Sequence, residues 1–123
     1  TTKGVLEKVK AHVGDVDFAV QPELVSLLSS RNFGRYADEK GEMKVCFISN
    51  NDITGGNSGS AMFNSKGELL GLAFDGNWEA MSSDILYEPK MQRTIGVDVR
   101  YILFMIEKYG KAGNLIKELN IIN

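Results

Sequence analysis

The residue best placed for chemistry in this chain is Ser58, in the stretch TGGNSGS at residues 54–60. A serine hydroxyl attacks a carbonyl carbon only when it is exposed, and neighbouring glycines allow a sharp bend and a close approach of the substrate. The backbone N–H groups of Gly56 and Ser58 could then point at one spot and hold a developing oxyanion. The spacing is equally typical of an ordinary glycine-rich turn. A phosphate-binding loop is disfavoured, because no Gly-Lys-Ser/Thr follows the glycines.

Strands are predicted on both sides of this loop, so that Ser58 would lie at a strand end. The apolar run at 44–49 predicts a strand before it, and residues 60–64 and 68–74 predict a hairpin with its turn at 64–67. A further strand is predicted at 92–97. Chymotrypsin-like peptidases present their nucleophile in this way, as a glycine-flanked serine that leads into a hairpin.

Helices are predicted mainly near the two ends of the chain. Residues 1–13 have an extended or mixed character, and Pro22 should open a short helix that carries Leu24, Leu27 and Leu28 on one face. Residues 31–42 read as a polar loop, and residues 77–90 as an irregular excursion with a short strand near 85–87. Asp98 should cap a helix that ends at Gly110, and Asn114 should cap a last helix through Leu119. The pattern alone predicts a mixed, mostly β core with helices.

Several longer stretches closely resemble one family. They are NNDITGGNSGS at 50–60, GLAFDGNWE at 71–79, RTIGVDVRY at 93–101 and NFGRYA at 32–37. In order and spacing they are similar to the bacterial dipeptidyl peptidases with a chymotrypsin-like catalytic domain, types 7 and 11, which are found mostly in Gram-negative bacteria. The resemblance covers nearly the whole chain. One departure is Ala61, which stands where the family usually has proline.

The resemblance implies a fold and an activity. The fold would be mainly β with helices: the second half, or C-terminal β-barrel part, of a chymotrypsin-like double barrel, plus C-terminal helices. Residues 1–123 would form a single domain, a C-terminal fragment of a peptidase catalytic domain. The whole enzyme would be a serine-type dipeptidyl aminopeptidase that releases dipeptides from peptides with a free N-terminus. It would be a homodimer at a periplasmic or cell-surface location.

Two residues at the end of the hairpin are implied to bind substrate. In the resembling family, the aspartate that matches Asp75 helps to hold the free amino terminus of the peptide. Read without the family, Asp75 is a turn aspartate before glycine. Gly76 matches the position where acid-specific members carry arginine, so a glycine there implies an apolar or broad preference at the second residue of the substrate.

The base that Ser58 requires is not predicted within this chain. His12 is the sole histidine, and it lies too close ahead of Ser58 for a first barrel to come between them, so a surface or strand-edge position is expected. Catalytic histidine and aspartate would come from the rest of the parent chain, and the isolated chain should be nearly inert. Asp52 has the spacing of a trypsin-like pocket aspartate, but a turn-forming role after two asparagines is the simpler interpretation.

Other reactive or aromatic residues are assigned to structure. Cys46 is expected to be a buried core thiol. Trp78, Tyr101 and Phe104 are expected in the core rather than on a substrate platform. Asp98 and Arg100 could pair with the rest of the enzyme, although helix capping already accounts for Asp98. No metal and no cofactor are predicted, because no His/Cys/Asp cluster has the required spacing.

Composition excludes some classes of function. The chain has 123 residues, enough for one domain, and a net charge of −2, which gives no electrostatic footprint for nucleic acid. No apolar run reaches the length of a membrane span. Residues 1–4 lack the apolar stretch of a signal peptide, and the chain reads as a fragment or a mature piece, so its start says nothing about export. Two alternatives remain open: an ordinary chymotrypsin-like serine endopeptidase, and a non-catalytic peptide-binding or structural domain.

Overall fold

The computed structural model describes residues 1–82 and 85–122, and within these ranges four strands form one antiparallel sheet. The strands are β1 (Cys46–Ser49), β2 (Ala61–Phe63), β3 (Leu69–Gly76) and β4 (Thr94–Asp98). The order along the sheet is β1-β4-β3-β2. The predicted strand at 44–49, the hairpin and the strand at 92–97 are confirmed, with ends that differ by a few residues.

Helices occupy both ends of the chain. The α-helices are α1 (Thr2–Ala11), α2 (Pro22–Ser29), α3 (Val99–Phe104) and α4 (Gly113–Ile116). Pro22 opens α2 as predicted, and the side-chain carboxylate of Asp98 caps α3 by accepting the N–H of Arg100 at 2.9 Å. Helix α3 continues as a π-helical turn over Met105–Tyr109 and ends at Gly110, also as predicted. Three-residue 3-10 turns occur at Val16–Phe18 and Gly34–Tyr36, and a longer one at Trp78–Ser82.

The extended character predicted for residues 1–13 is wrong, because this segment forms α1. Val5 and Leu6 pack against the hydrophobic core. Burial on one side of the helix outweighs the low helix propensities of Gly4, Val5 and Val9.

Three further predictions about local structure need correction. The polar loop at 31–42 contains two fully buried aromatic residues, Phe33 and Tyr36. No strand forms over 85–87, and Ser83 and Asp84 lie outside the described residues. Helix α4 begins after Ala112 and ends at Ile116, so Asn114 is not its cap and the helix does not reach Leu119.

The hydrophobic core lies in the helical layer. Phe104 of α3 is fully buried, and its ring meets the edges of Phe33 and Tyr36 at centroid distances of 5.7 and 6.1 Å. Edge-to-face aromatic pairs of this kind add to the stabilisation from area burial. The core cluster comprises Leu28, Phe33, Tyr36, Met43, Leu103, Phe104 and Ile116.

The sheet, in contrast, leaves large apolar side chains exposed, among them Ile48, Phe63 and Phe74. Cys46 is exposed as well, so its predicted role as a buried core thiol is wrong. Side chains of β1 do alternate between a more exposed and a less exposed face of the sheet. No described element covers the face that carries Cys46. The observed class is mixed α/β with one four-stranded antiparallel sheet, and helices contribute more than the mainly β expectation allowed.

Candidate active site

Two consecutive tight turns present Ser58. The N–H of Asn57 donates to the carbonyl of Thr54 at 3.2 Å, and the N–H of Ser60 donates to the carbonyl of Asn57 at 3.0 Å. The third residue of each turn is a glycine with positive φ: 92° at Gly56 and 88° at Gly59. A positive φ at this position is typical of a type II turn and favours glycine. Ser58 therefore occupies the second position of the second turn.

Hydrogen bonds fasten this loop to itself and to β3. The side-chain oxygen of Asn57 accepts the N–H of Thr54 at 2.9 Å. The N–H of Gly59 donates to the carbonyl of Ala73 at 2.7 Å, and the N–H of Ala73 donates to the carbonyl of Ser60 at 2.8 Å. The backbone on the C-terminal side of Ser58 is thus held against β3, while Ser58 itself is exposed.

A β-bulge at Phe74 shapes the strand opposite Ser58. Ala73 faces Gly96 across the sheet and Asp75 faces Ile95, so Phe74 is an extra residue in the ladder. The Ser58 hydroxyl donates to the Phe74 carbonyl at 3.4 Å. Bulges bend a strand and redirect its side chains. The bulge was not predicted from the sequence. Its one local signal is the unbroken apolar run at 72–74, which departs from strand alternation.

Ser58, Asp75 and Gly76 line one cavity of 330 Å³, so the structure brings three of the predicted site residues together. The start of the loop, the bulge in β3 and the turn after β3 complete its wall. Gly56 belongs to the same loop but is not part of this lining. The remaining lining residues are Ile53, Thr54, Gly55, Phe74, Asn77, Ala80 and Met81.

The backbone N–H groups of Gly56 and Ser58 are available to a ligand. Within residues 1–82 and 85–122 neither N–H donates a hydrogen bond to another group of the chain. Unpaired donors beside a serine hydroxyl are the groups that an oxyanion requires.

Asp75 presents a carboxylate beside the same cavity. One of its oxygens accepts the N–H of Gly76 at 2.8 Å, and the residue is exposed. Among the described residues no lysine or arginine forms an ion pair with Asp75. A carboxylate without a cationic partner at the edge of a cavity can accept a positively charged group of a ligand.

Gly76 lies where any side chain would meet the turn that follows β3. A Cβ atom built on Gly76 would lie 2.8 Å from the Cβ of Ala80, closer than two carbon atoms normally approach. Its next neighbours, the Arg93 carbonyl oxygen and the Ile53 side chain, would both be at 3.7 Å. The absence of a side chain at Gly76 therefore leaves room for the methyl group of Ala80 in the cavity wall.

Neither His12 nor Asp52 lines the cavity. His12 follows the last turn of α1, where its Nδ1 lies 3.0 Å from the Lys8 carbonyl oxygen and its ring stacks on Phe18 at 4.0 Å. These contacts give His12 a structural role at the end of a helix. Asp52 is exposed on the segment before the loop, and the residue after it, Ile53, lines the cavity instead.

The aromatic residues assigned to the core divide into two groups. Phe104 is fully buried and Tyr101 packs against the core, as predicted. The prediction is wrong for Trp78, which is 82% exposed. Trp78 begins the turn next to the cavity, and no described side chain covers it.

Asp98 and Arg100 pair with each other, and the Asp98 carboxylate lies 2.6 Å from the guanidinium of Arg100. This pair lines a different, larger groove of 900 Å³ between the hairpin tip and the last residues of the chain. It therefore lies away from Ser58.

Asn77 is a residue of the site that sequence reasoning missed. Its side-chain amide nitrogen donates to the Glu79 carboxylate at 2.7 Å and to the Met91 carbonyl at 2.8 Å. Its side-chain oxygen accepts the N–H of Arg93 at 2.8 Å. Asn77 thereby joins the end of β3, the turn at 78–82 and the segment before β4. These partners are distant in sequence, so no local pattern indicates the role.

No group of three His, Cys, Asp or Glu side chains in the described part of the chain is arranged to hold a metal ion. Over the same residues, no helix is both long enough and apolar enough to cross a membrane.

A serine hydroxyl beside unpaired backbone N–H groups and an open cavity is suited to acyl transfer, and comparison with known proteins points to the same class, the peptidases. Residues 1–121 match the profile of the family described as Peptidase S46. The chain therefore belongs to the peptidase S46 family, which confirms the resemblance drawn from its motifs.

Two of the relatives are named dipeptidyl peptidases. Dipeptidyl-peptidase 7 of Porphyromonas endodontalis is 59% identical to this chain over 122 residues, and the Asp/Glu-specific dipeptidyl-peptidase of Porphyromonas gingivalis is 45% identical over 122 residues. Each match covers 99% of this chain but only 14% and 17% of the relative, respectively. The chain thus spans about a sixth of the length of these relatives.

The structural comparison agrees. The crystal structure of Porphyromonas endodontalis DPP11 in complex with the dipeptide Arg-Glu superimposes with a TM-score of 0.88 and 44% sequence identity. The match covers 94% of this chain and 16% of that structure. The arrangement of sheet and helices is therefore shared with a portion of that larger protein.

Proposed function

We propose that this chain is the nucleophile-bearing portion of a longer serine-type dipeptidyl peptidase that releases dipeptides from free peptide N-termini. The observation that carries the proposal is the single cavity lined by Ser58, Asp75 and Gly76. A shared cavity for a candidate nucleophile, a candidate amine anchor and a candidate side-chain pocket supports the binding of one short peptide by all three. The named relatives and the peptide complex of DPP11 support the same reading.

Ser58 is the nucleophile in this proposal. Its Oγ attacks the carbonyl carbon of the second peptide residue, and its proton passes to a histidine supplied by the rest of the longer protein, oriented there by an aspartate. The N–H groups of Gly56 and Ser58 stabilise the oxyanion that forms. Collapse of this intermediate releases the remaining peptide as an amine, and water then frees the dipeptide. In the observed rotamer the hydroxyl donates to the Phe74 carbonyl at 3.4 Å, and this hydrogen bond is given up when the proton passes to the base.

Asp75 anchors the positively charged amino terminus of the substrate. Its carboxylate keeps an unpaired charge at the cavity edge, and a charge-assisted hydrogen bond to an ammonium group contributes about 1.5–3 kcal/mol. An amine anchor in the same cavity as the nucleophile would limit the product to a short N-terminal peptide, and the family resemblance implies a dipeptide.

Gly76 leaves the pocket for the second residue open and uncharged. The proposal therefore includes a preference for apolar or varied side chains at that position. The unpartnered apolar surface of Trp78 and Met81 beside the cavity is in keeping with this preference.

The finer features of fold and assembly belong to the same proposal. The four-stranded sheet with its exposed apolar side chains would be the second barrel of a chymotrypsin-like pair, completed by the remainder of the longer protein. That protein would be a homodimer, located in the periplasm or at the cell surface. These features rest on the family resemblance.

The test uses the full-length enzyme, meaning the longer protein that carries this chain. Peptide substrates with a free amino terminus should be cleaved after their second residue, and the same peptides with an acetylated amino terminus should not. A fluorophosphonate probe should label Ser58, and Ser58→Ala should abolish both labelling and turnover. Ser60→Ala, two residues away on the same loop, is the matched control and should be labelled normally.

Two results would favour the alternatives. Equal cleavage of free and acetylated peptides at internal sites would indicate an endopeptidase. Peptide binding without turnover or labelling would indicate a non-catalytic domain. Full activity of Ser58→Ala would overturn the assignment of the nucleophile.

A further inference from the structure

Ala80 closes the part of the cavity that lies opposite Gly76. It is 8% exposed, it belongs to the cavity lining, and its N–H donates to the Asn77 carbonyl at 2.9 Å, which fixes its place in the turn at 78–82. Among the described residues other than Gly76 and its two chain neighbours, its methyl carbon is the one atom within 3 Å of the position that a Cβ of Gly76 would occupy. Residues 76 and 80 therefore compete for the same small volume.

We infer that Ala80 is a second specificity-determining position, and that its methyl group sets how deeply the side chain of the second substrate residue enters the cavity. This inference rests on the proposed function of the same site. A change of one methylene in an apolar pocket alters discrimination between substrates by about 10- to 200-fold. A larger residue at 80 should therefore exclude long side chains, and glycine at 80 should admit larger ones.

The inference also explains how a side chain at position 76 could be accommodated. Any residue other than glycine at 76 must displace Ala80, because the two Cβ atoms would be only 2.8 Å apart. Packed interiors transmit such strain to their neighbours. The two positions should consequently behave as a coupled pair, and replacing Ala80 by glycine should relieve the strain that a substitution at Gly76 introduces.

The first experiment measures kcat/KM of the full-length enzyme on dipeptidyl substrates that differ only in the second residue, alanine against phenylalanine. Ala80→Val should lower the phenylalanine-to-alanine ratio by about 10-fold or more, and Ala80→Gly should raise it. Ala37→Val is the matched control: Ala37 is half-buried against the hydrophobic core and does not line the cavity, so the ratio should stay unchanged.

The second experiment tests the coupling. Gly76→Ala alone should lower kcat/KM for both substrates, and adding Ala80→Gly should restore most of the loss, so that the effects of the two substitutions are not additive. Thermal unfolding of each variant separates pocket effects from loss of folded protein.

The outcomes distinguish the inference from the function on which it rests. Wild-type enzyme that cleaves no dipeptidyl substrate would overturn the proposed function and this inference together. Wild-type turnover with an unchanged ratio in Ala80→Val, or in Ala80→Gly should the valine variant not fold, would overturn this inference alone. Additive effects of Gly76→Ala and Ala80→Gly would also overturn it.

Discussion

Replacing Gly59 by alanine tests whether the second turn of the loop positions Ser58. Gly59 has a φ of 88°, and a Cβ there would meet nothing within 4 Å, so the substitution introduces backbone strain without a clash. The chain can respond in two ways. It can keep the turn, at a cost of about 1–2 kcal/mol for an alanine at positive φ. Alternatively, it can flip the peptide between Ser58 and Gly59 to give a type I turn.

The flip has a cost of similar size and a larger functional effect. It removes the 2.7 Å hydrogen bond from Gly59 to the Ala73 carbonyl, which contributes about 0.5–1.5 kcal/mol. It also rotates the backbone that carries the Ser58 side chain. Misplacing a reacting group by about 1 Å can lower the rate by about 100-fold.

Gly67→Ala is the matched control. Gly67 lies in the turn at the hairpin tip, has a φ of 78° and is likewise surrounded by open space. Its substitution should cost the same backbone strain far from Ser58. We therefore expect both variants to lower thermal stability alike, while kcat/KM of the full-length enzyme falls at least about 10-fold further in Gly59→Ala. Gly59→Asn should be intermediate, because asparagine tolerates positive φ better than alanine.

Equal kcat/KM in Gly59→Ala and Gly67→Ala would refute the reasoning. It would mean that the turn at Gly59 contributes to stability alone and that Ser58 is positioned by other contacts.

Three further predictions concern the surroundings of the site and the core. Asp75→Asn should lower kcat/KM on peptides with a free amino terminus by about 10- to 150-fold, and a value equal to that of the wild type would exclude an amine anchor. Asn77→Ala removes three hydrogen bonds of 2.7–2.8 Å and should speed amide hydrogen exchange over residues 77–82, where protection like that of the wild type would contradict its linking role. The Tyr36 hydroxyl donates a hydrogen bond to Glu107 and lowers the pKa of that carboxyl. This hydrogen bond therefore stabilises the folded chain above the ordinary glutamate pKa, and the stabilisation is lost as the pH falls through the lowered pKa. Tyr36→Phe should make unfolding less pH-dependent in that acidic window, and an unchanged pH profile would show that the hydrogen bond is not formed.

Local signals in the sequence were sufficient for much of the fold and for part of the site. The proline of α2, the aspartate cap of α3 and the turn residues of the hairpin act on neighbouring backbone, so their effects can be read from spacing. The loop around Ser58 was predictable for the same reason, since glycines at positive φ and a serine between them occupy one short segment.

The cavity itself was not predictable, because its walls come from segments far apart in the chain. The bulge at Phe74 arises from pairing with β4, and Asn77 gains its role only when the segment before β4 lies alongside it. The proximity of Ala80 to Gly76 likewise depends on how the turn at 78–82 folds back over β3.

Burial was the other property that local pattern could not decide. Cys46 and Trp78 have the residue types of a core, and both are exposed, whereas the valine-containing segment at the start of the chain packs as a helix. Periodicity in a sequence indicates which face of an element is apolar, but whether another element covers that face depends on the tertiary arrangement. The sequence by itself thus determined the glycine-rich loop around Ser58 and most of the elements around it. The tertiary structure alone decided which residues share the cavity, because that depends on contacts between distant segments.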